Sequence, residues 1–141
     1  MREALHPYRG LVITTKGGFR HPVEDAWTPD GRPEHLRDAL EGSLKRLGVD
    51  HVDLVHLHNR ICIEQNPDAH GAHGGLFTTE EMLGPNGMEE TFQALQREGK
   101  LRYYGFCAFG GEVPAVKTVI REGNWPAPAL GLLKSSLAAR S

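Results

Sequence analysis

The sequence lacks the features that mark membrane, nucleic-acid-binding and disulfide-rich proteins. Its 141 residues carry 16 Lys and Arg against 18 Asp and Glu, and without a long basic run nothing indicates a nucleic-acid footprint. No apolar stretch approaches the roughly 18 residues of a membrane span. Two cysteines do not make a disulfide framework, and the first residues lack the apolar core of a signal peptide. We therefore expect a cytoplasmic protein that binds neither membranes nor nucleic acids.

Strand-like segments are present at residues 11–15, 49–58 and 101–107, and helical patterns separate them. The first helix is predicted to begin at Pro33, a favourable first-turn position, and to end at Gly48. Its apolar stripe, at near-helical spacing, consists of Leu36, Leu40, Leu44 and Leu47. This alternation of strands and helices predicts an α/β fold with a parallel sheet.

Two further helices are expected along the chain. One is predicted to begin after Asn86, with Glu89 as its capping-box partner, and its apolar stripe consists of Met88, Phe92 and Leu95. The other is expected over residues 114–121, with inward-facing Val116, Val119 and Ile120. Residues 62–85 form the longest irregular stretch, and in a barrel this loop would cover the active-site face.

Two of the strand-like segments end in ionisable residues, Lys16 and His58. Because the carboxyl ends of barrel strands carry the chemistry, we expect these side chains to share one edge of the sheet. A zinc site is a second interpretation, since His56 and His58 would share one strand face and His70 and His73 could add imidazoles. No cysteine or carboxylate motif at ligand spacing accompanies them. We therefore predict no metal.

Residues 11–123 resemble the aldo-keto reductases. In that family the third strand ends in Thr-Lys, the fourth reads Asp-Leu-x-x-Leu-His, and the fifth follows a Glu-Gly-Lys-x-Arg turn. The matching positions here are residues 15–16, 53–58 and 98–102. The resemblance implies a partial (β/α)8 TIM barrel, with about three parallel strands and flanking helices, because a complete barrel typically needs about 250 residues.

We assign residues 1–124 to the partial aldo-keto reductase-like barrel. Residues 125–141 are assigned to a divergent C-terminal tail. Two prolines within residues 125–129 remove donors from a strand ladder and are disfavoured in a central strand, so we expect no sixth strand here. The residues that follow read as a short helix or a disordered tail.

The family reduces a small-molecule carbonyl to an alcohol with NADP(H). A tyrosine donates the proton, a lysine paired with an aspartate lowers the pKa of that tyrosine, and a histidine orients the carbonyl. By resemblance, Lys16 is the lysine and His58 is the histidine. The family's Gly-Val-Ser-Asn, which holds the nicotinamide amide, corresponds to residues 105–108. Cys107 is thereby placed in a cofactor-binding position, where a thiol hydrogen-bonds only weakly.

The family's catalytic tyrosine and aspartate lie upstream of every segment that matches here. Tyr8 is too close to Lys16 to correspond to that tyrosine, and the resemblance gives Tyr103 and Tyr104 no such role. We therefore expect a truncated chain that is inactive alone, since loss of general-acid assistance costs roughly 10²–10⁴-fold in rate. The alternative is a non-catalytic aldo-keto reductase-like interaction module or gene fragment. The open barrel edges favour self-association in either case.

Overall fold

A computed structural model describes residues 2–20, 28–58, 60–64, 76–107 and 112–128. Within these ranges, no helix is long and apolar enough to cross a membrane. The elements, in chain order, are α1 (Arg2–Leu5), β1 (Thr14–Gly17), β2 (Phe19–Arg20), β3 (Thr28–Pro29), α2 (Pro33–Leu47), β4 (Val52–His58), β5 (Arg60–Cys62), β6 (Leu76–Thr78), α3 (Thr79–Leu83), α4 (Met88–Arg97), β7 (Leu101–Cys107), α5 (Val113–Glu122) and β8 (Ala127–Pro128).

The main sheet has the strand order β1-β4-β7-β8, and all its pairings are parallel. The three predicted strands are confirmed as β1, β4 and β7. Two small sheets flank it, an antiparallel pair of β2 and β3 and a parallel pair of β5 and β6. The parallel pairing follows from the helices that connect successive strands, since a parallel partner needs a crossover connection.

Strand β8 corrects the prediction that the chain forms no strand over residues 125–129. It pairs with Gly105 and Phe106 of β7, and it lies at the outer position of the sheet, where proline is tolerated. Buried Glu89 accepts the Asn124 N–H at 2.5 Å just before this strand. The predicted helix or tail that follows lies outside the described residues, and the division of the chain at residue 125 stays a prediction.

Helix α2 has the predicted boundaries. Pro33 stands in its first turn, and Gly48 ends it with a left-handed φ of 71° and an N–H that donates to the Leu44 carbonyl. The predicted stripe is buried at Leu36, Leu40 and Leu44 and partly buried at Leu47.

Helix α4 begins one residue later than predicted, and the predicted capping box is wrong. Its N-cap is Gly87, while Asn86 adopts a left-handed φ of 56° and donates its N–H to Glu90 at 2.9 Å. Asparagine tolerates this conformation, so it serves the turn before the helix and not the cap. The predicted stripe of this helix is confirmed as buried, and it consists of Met88, Phe92 and Leu95.

The stretch at residues 62–85 is more regular than predicted, because it contains β6 and α3. A capping box does begin α3. The Thr78 hydroxyl accepts the Glu81 N–H at 3.1 Å, and the Glu81 carboxylate accepts the Thr78 N–H at 2.7 Å. Residues 65–75 of this stretch, including His70 and His73, lie outside the described residues.

The predicted third helix is confirmed as α5, but the prediction of its inward-facing residues is wrong at one position. Ala115, Val116 and Val119 are fully buried, whereas Ile120 is 47% exposed. At 3.6 residues per turn, Ile120 lies about 90° round the helix from the centre of the buried face. The small side chain of Ala115 takes the inward position instead.

Asp53 fixes the start of β4 against both neighbouring strands. Its Oδ2 accepts the Ile13 N–H at 2.8 Å, its Oδ1 pairs with Arg102 Nη1 at 3.1 Å, and its own N–H donates to the Ile13 carbonyl at 2.9 Å. The aspartate of the Asp-Leu-x-x-Leu-His motif therefore has a structural role at the amino end of the sheet.

The Glu-Gly-Lys-x-Arg turn is also structural. The Glu98 carboxylate accepts two hydrogen bonds from Arg37, at 2.6 and 2.8 Å, which together with Lys100 lower the pKa of Glu98 to about 2. Lys100 contacts Glu41 at 2.5 Å and Glu98 at 3.1 Å. Gly99 supplies a left-handed φ of 75° in this turn. The motif thus fastens α2 to the turn between α4 and β7.

The main sheet has two different faces. The covered face packs against the helices in one apolar core, and its central side chains, each no more than 3% exposed, are Val55, Leu57, Tyr104 and Phe106. The open face consists of side chains that are exposed or only partly buried, namely Lys16, Leu54, His56, His58, Tyr103 and Cys107. The candidate site residues belong to the open face.

Candidate active site

The structure brings Lys16, His58 and Cys107 to one edge of the sheet. His58 and Cys107 are the last residues of β4 and β7, and they are paired across the two strands. Lys16, the third of the four residues of β1, pairs with His56. Paired residues of adjacent strands lie about 4.8 Å apart and point to the same face. The expected shared edge is therefore present, and the chemical roles of these residues stay predictions.

The environment of this edge favours neutral imidazoles. Burial lowers the pKa of His58, and the Lys16 charge lowers it further. The pKa of His56 is lowered by burial first, and by Lys16 and His58 in addition. His58 is exposed over its surface as a whole, yet enough of its ring is desolvated to disfavour the cation. At neutral pH both rings can donate one hydrogen bond and accept another.

Cys107 is a protonated thiol at neutral pH. Partial burial raises the pKa of its thiol, and the Lys16 charge opposes that rise only in part. A thiol in this state is a weak hydrogen-bond donor and a poor nucleophile. Cys107 can therefore line a pocket, but its environment does not activate it.

None of the chain's three tyrosines lies beside His58. The hydroxyl of Tyr8 donates to the Leu47 carbonyl at 3.1 Å, and that of Tyr104 donates to the Asn124 carbonyl at 2.9 Å. Tyr103 does lie on the open face, but it is four residues before the end of β7, or about 13 Å along the strand. None of the three is therefore placed to donate a proton beside His58, and the absence of the acid tyrosine stays a prediction.

Two residues near His58 were not identified from the sequence. The Phe19 ring lies edge-on to the His58 imidazole, with ring centroids 6.3 Å apart and an interplanar angle of 69°. His35 Nε2 lies 3.0 Å from the Phe19 carbonyl oxygen. No sequence signal pointed to them, because Phe19 follows two glycines in an apparent loop and His35 occupies an ordinary position in a helix.

Metal binding finds no support in the described part of the chain. There, no group of three or more His, Cys, Asp or Glu side chains is arranged to hold a metal ion. The pair His56 and His58 shares one strand face as expected, while the two other histidines of the zinc interpretation lie outside the described ranges.

Comparisons with known proteins agree with the sequence resemblance. A family model described as the aldo/keto reductase family matches residues 1–122. An uncharacterised oxidoreductase of Schizosaccharomyces pombe is 48% identical over 58 residues, which are 41% of this chain and 19% of that protein. Pyridoxine 4-dehydrogenase of Escherichia coli is 32% identical over 107 residues, which are 74% of this chain and 32% of that protein. The chain thus spans a third or less of each relative.

A solved structure shows the fold of the complete proteins. The holo form of an aldo-keto reductase from Bacillus halodurans superposes with a TM-score of 0.62 and 23% identity, over 89% of this chain and 36% of that chain. The prediction of a partial (β/α)8 barrel is confirmed. With the family match over residues 1–122, the conclusion is that this chain belongs to the aldo/keto reductase family of oxidoreductases.

Proposed function

We propose that the chain carries the Lys16–His58 portion of an active site that reduces a small-molecule carbonyl to an alcohol with NADP(H). One observation carries the proposal: a histidine with a lowered pKa stands at the carboxyl edge of the sheet, within the field of a lysine. Barrel enzymes place their chemistry at this edge. The dehydrogenase name of the Escherichia coli relative supports redox chemistry here.

The two residues have complementary roles in this proposal. Neutral His58 donates a hydrogen bond to the carbonyl oxygen, and the bond strengthens as negative charge develops on that oxygen. Lys16 holds a positive charge on the same face and lowers the pKa of a phenol brought beside it. Both roles need the open face to remain accessible to substrate, and Lys16 and His58 are exposed.

The residues present fit the cofactor only in part. When bound, NADP(H) supplies the hydride that reduces the carbonyl carbon. By the family resemblance, Cys107 is the residue that would contact the nicotinamide amide, and it ends β7 beside His58. Its protonated thiol offers one weak hydrogen bond, so we expect this contact to contribute little affinity.

In this proposal, none of the chain's three tyrosines is the proton donor. Each tyrosine of the chain is hydrogen-bonded elsewhere or lies far down the sheet, and general-acid assistance contributes roughly 10²–10⁴-fold in rate. We propose that the chain alone binds cofactor weakly and turns over no substrate.

A fluorescence titration of NADPH with the purified chain tests this proposal, once circular dichroism has shown that the chain is folded. We expect saturable quenching that Lys16→Met weakens about tenfold, or by 1.4 kcal/mol. The matched control is His51→Gln, since His51 is exposed and precedes β4 at the opposite edge. A folded chain without quenching, or a control that weakens binding as much as Lys16→Met, contradicts the proposal.

A second candidate function is an interaction module that associates with another copy of itself. The observation in its favour is the open face, on which Tyr103 is 58% exposed, together with β1, which in the described sheet pairs with β4 alone. An unpaired edge is a template for another strand. Sedimentation velocity over a range of concentrations would show dimers, and dimers without NADPH quenching would favour this alternative.

A further inference from the structure

The turn after β1 brings a phenyl ring to the active-site edge. Gly18 has a left-handed φ of 104°, and a Cβ built there would lie 2.8 Å from Leu57 Cδ1. The backbone conformation thus favours glycine at this position. The chain bends at this residue, and Phe19, the next residue, meets the imidazole at the end of β4.

The backbone of Phe19 is held on two sides. In the hairpin it pairs with Pro29, and the neighbouring Gly18 carbonyl accepts the Asp30 N–H at 2.9 Å. On the side of α2, His35 donates from Nε2 to the Phe19 carbonyl at 3.0 Å, in the tautomer that carries its proton there. The position of the ring is therefore determined by two separate elements.

The hairpin itself is anchored by a buried carboxylate. Asp30 is 6% exposed and accepts hydrogen bonds from Arg32 at 2.6 and 2.9 Å. These bonds lower the pKa of Asp30 to about 2, so the ion pair persists at every pH at which the site would operate. Through these contacts the hairpin of β2 and β3 holds the backbone of Phe19 in place.

The contact between Phe19 and His58 has the geometry of a specific aromatic pair. A centroid separation of 6.3 Å and an angle of 69° lie within the edge-to-face range, in which the rings attract each other beyond the effect of their buried area. His58 ends its strand and is exposed over its surface as a whole. The groups that face it from the strands are Lys16, His56 and Cys107.

We propose that Phe19 is a positioning residue, whose ring sets the orientation of the His58 imidazole toward the substrate carbonyl, and that His35 holds Phe19 in place through its backbone. The inference rests on the proposed function, in which His58 donates a hydrogen bond to that carbonyl. Holding a donor in its productive orientation before substrate arrives is what makes such a bond effective.

Histidine-labelled protein tests the proposal by nuclear magnetic resonance. Phe19→Leu keeps an apolar side chain but removes the ring. We expect the His58 ring protons to lose their ring-current shift and the pKa of His58 to move back toward its ordinary value, while the signals of His56 stay in place. Lys16→Met should move the titrations of both histidines, and Phe19→Tyr should preserve the His58 shift.

Two controls separate positioning from general damage. His35→Ala should shift the His58 signals in the same direction as Phe19→Leu but to a smaller extent, and it decides the question if Phe19→Leu fails to fold. Tyr103→Leu, which removes an exposed ring from the same face, should leave His58 unchanged.

The outcomes distinguish this inference from the proposed function. If Phe19→Leu leaves the His58 shifts and titration unchanged in a folded chain, the positioning role is wrong even where NADPH binds. If Phe19→Leu moves them but the wild-type chain does not quench NADPH fluorescence, the positioning role holds and the proposed function is wrong.

Discussion

The two faces of β4 differ although they share one backbone. Val55 and Leu57 are 3% and 1% exposed on the covered face, while the alternate residues His56 and His58 are partly or largely open to solvent. The covered face supplies apolar burial, and the open face supplies ionisable groups near one another. Because successive side chains of a strand point to opposite faces, a seven-residue segment can carry packing and chemistry with little conflict between them.

Two adjacent tyrosines of β7 show the same difference between a covered and an open face. Tyr104 is 2% exposed, stacks on Phe92 at 5.7 Å and packs against Trp125 at 5.4 Å, whereas Tyr103 is 58% exposed. A tyrosine that points into the core needs a partner for its hydroxyl, and Tyr104 has one in the Asn124 carbonyl. The contrast between the faces can therefore be tested with matched substitutions.

The largest expected effect is that of Leu57→Ala on the covered face. It should lower the free energy of unfolding by about 2–5 kcal/mol, because a fully buried leucine leaves a cavity. Leu54→Ala, on the open face of the same strand, should cost about 1 kcal/mol or less. Urea unfolding followed by circular dichroism measures both. If both variants lost the same free energy of unfolding, the open face would be packed as closely as the covered face, and the proposed difference between the two faces would be wrong.

A smaller effect is expected from Tyr104→Phe, which removes one buried hydroxyl. The variant leaves the Asn124 carbonyl without its donor and should lose about 0.5–1.5 kcal/mol of unfolding free energy. Tyr103→Phe deletes the neighbouring hydroxyl on the open face and should change stability by less than about 0.5 kcal/mol. The same denaturation experiment compares the pair, and a larger loss from Tyr103→Phe would reverse the assignment of the faces.

The smallest effect is a change in how stability depends on pH. Because the pKa of His56 is lowered in the folded chain, the unfolded chain takes up its proton first as the pH falls. Stability should therefore decline as the pH drops through about 6.5 toward the folded pKa. His56→Gln should flatten this part of the curve. A curve that His56→Gln leaves unchanged would argue against a desolvated ring on the open face.

Much of the fold could be predicted because its signals are local. The leucine stripe of α2 and Gly48 at its end follow from helical spacing and from the conformational freedom of glycine. Other features depend on contacts distant in sequence. Glu89 and Tyr104 both bond Asn124, just before β8, and nothing in the sequence near Pro126 and Pro128 signals that support. Asn86 looked like a cap, and only its backbone conformation shows that it belongs to the turn.

The candidate site was predictable to the same extent. Lys16 and His58 could be placed together because parallel strands bring their carboxyl ends to one edge. Phe19 could not, since the direction of its ring depends on the backbone bend at Gly18, which the Gly-Gly pair does not specify by itself. The residue at the end of a strand can be identified from the sequence, whereas the direction that the chain takes after the strand cannot.

The position of the His58 imidazole depends on a carboxylate at the far end of its own strand. If β4 slipped by two residues, His56 would occupy the place of His58, and Asp53 would take the place of Val55, which is 3% exposed in the core. Asp53 opposes this slip in two ways, because a buried apolar position disfavours its charge and because its present partners would lose it. The slip would put His51 where the Ile13 N–H and the Arg102 guanidinium require an acceptor. A carboxylate about 16 Å away along the strand thereby determines which of two histidines lies at the carboxyl edge of the sheet.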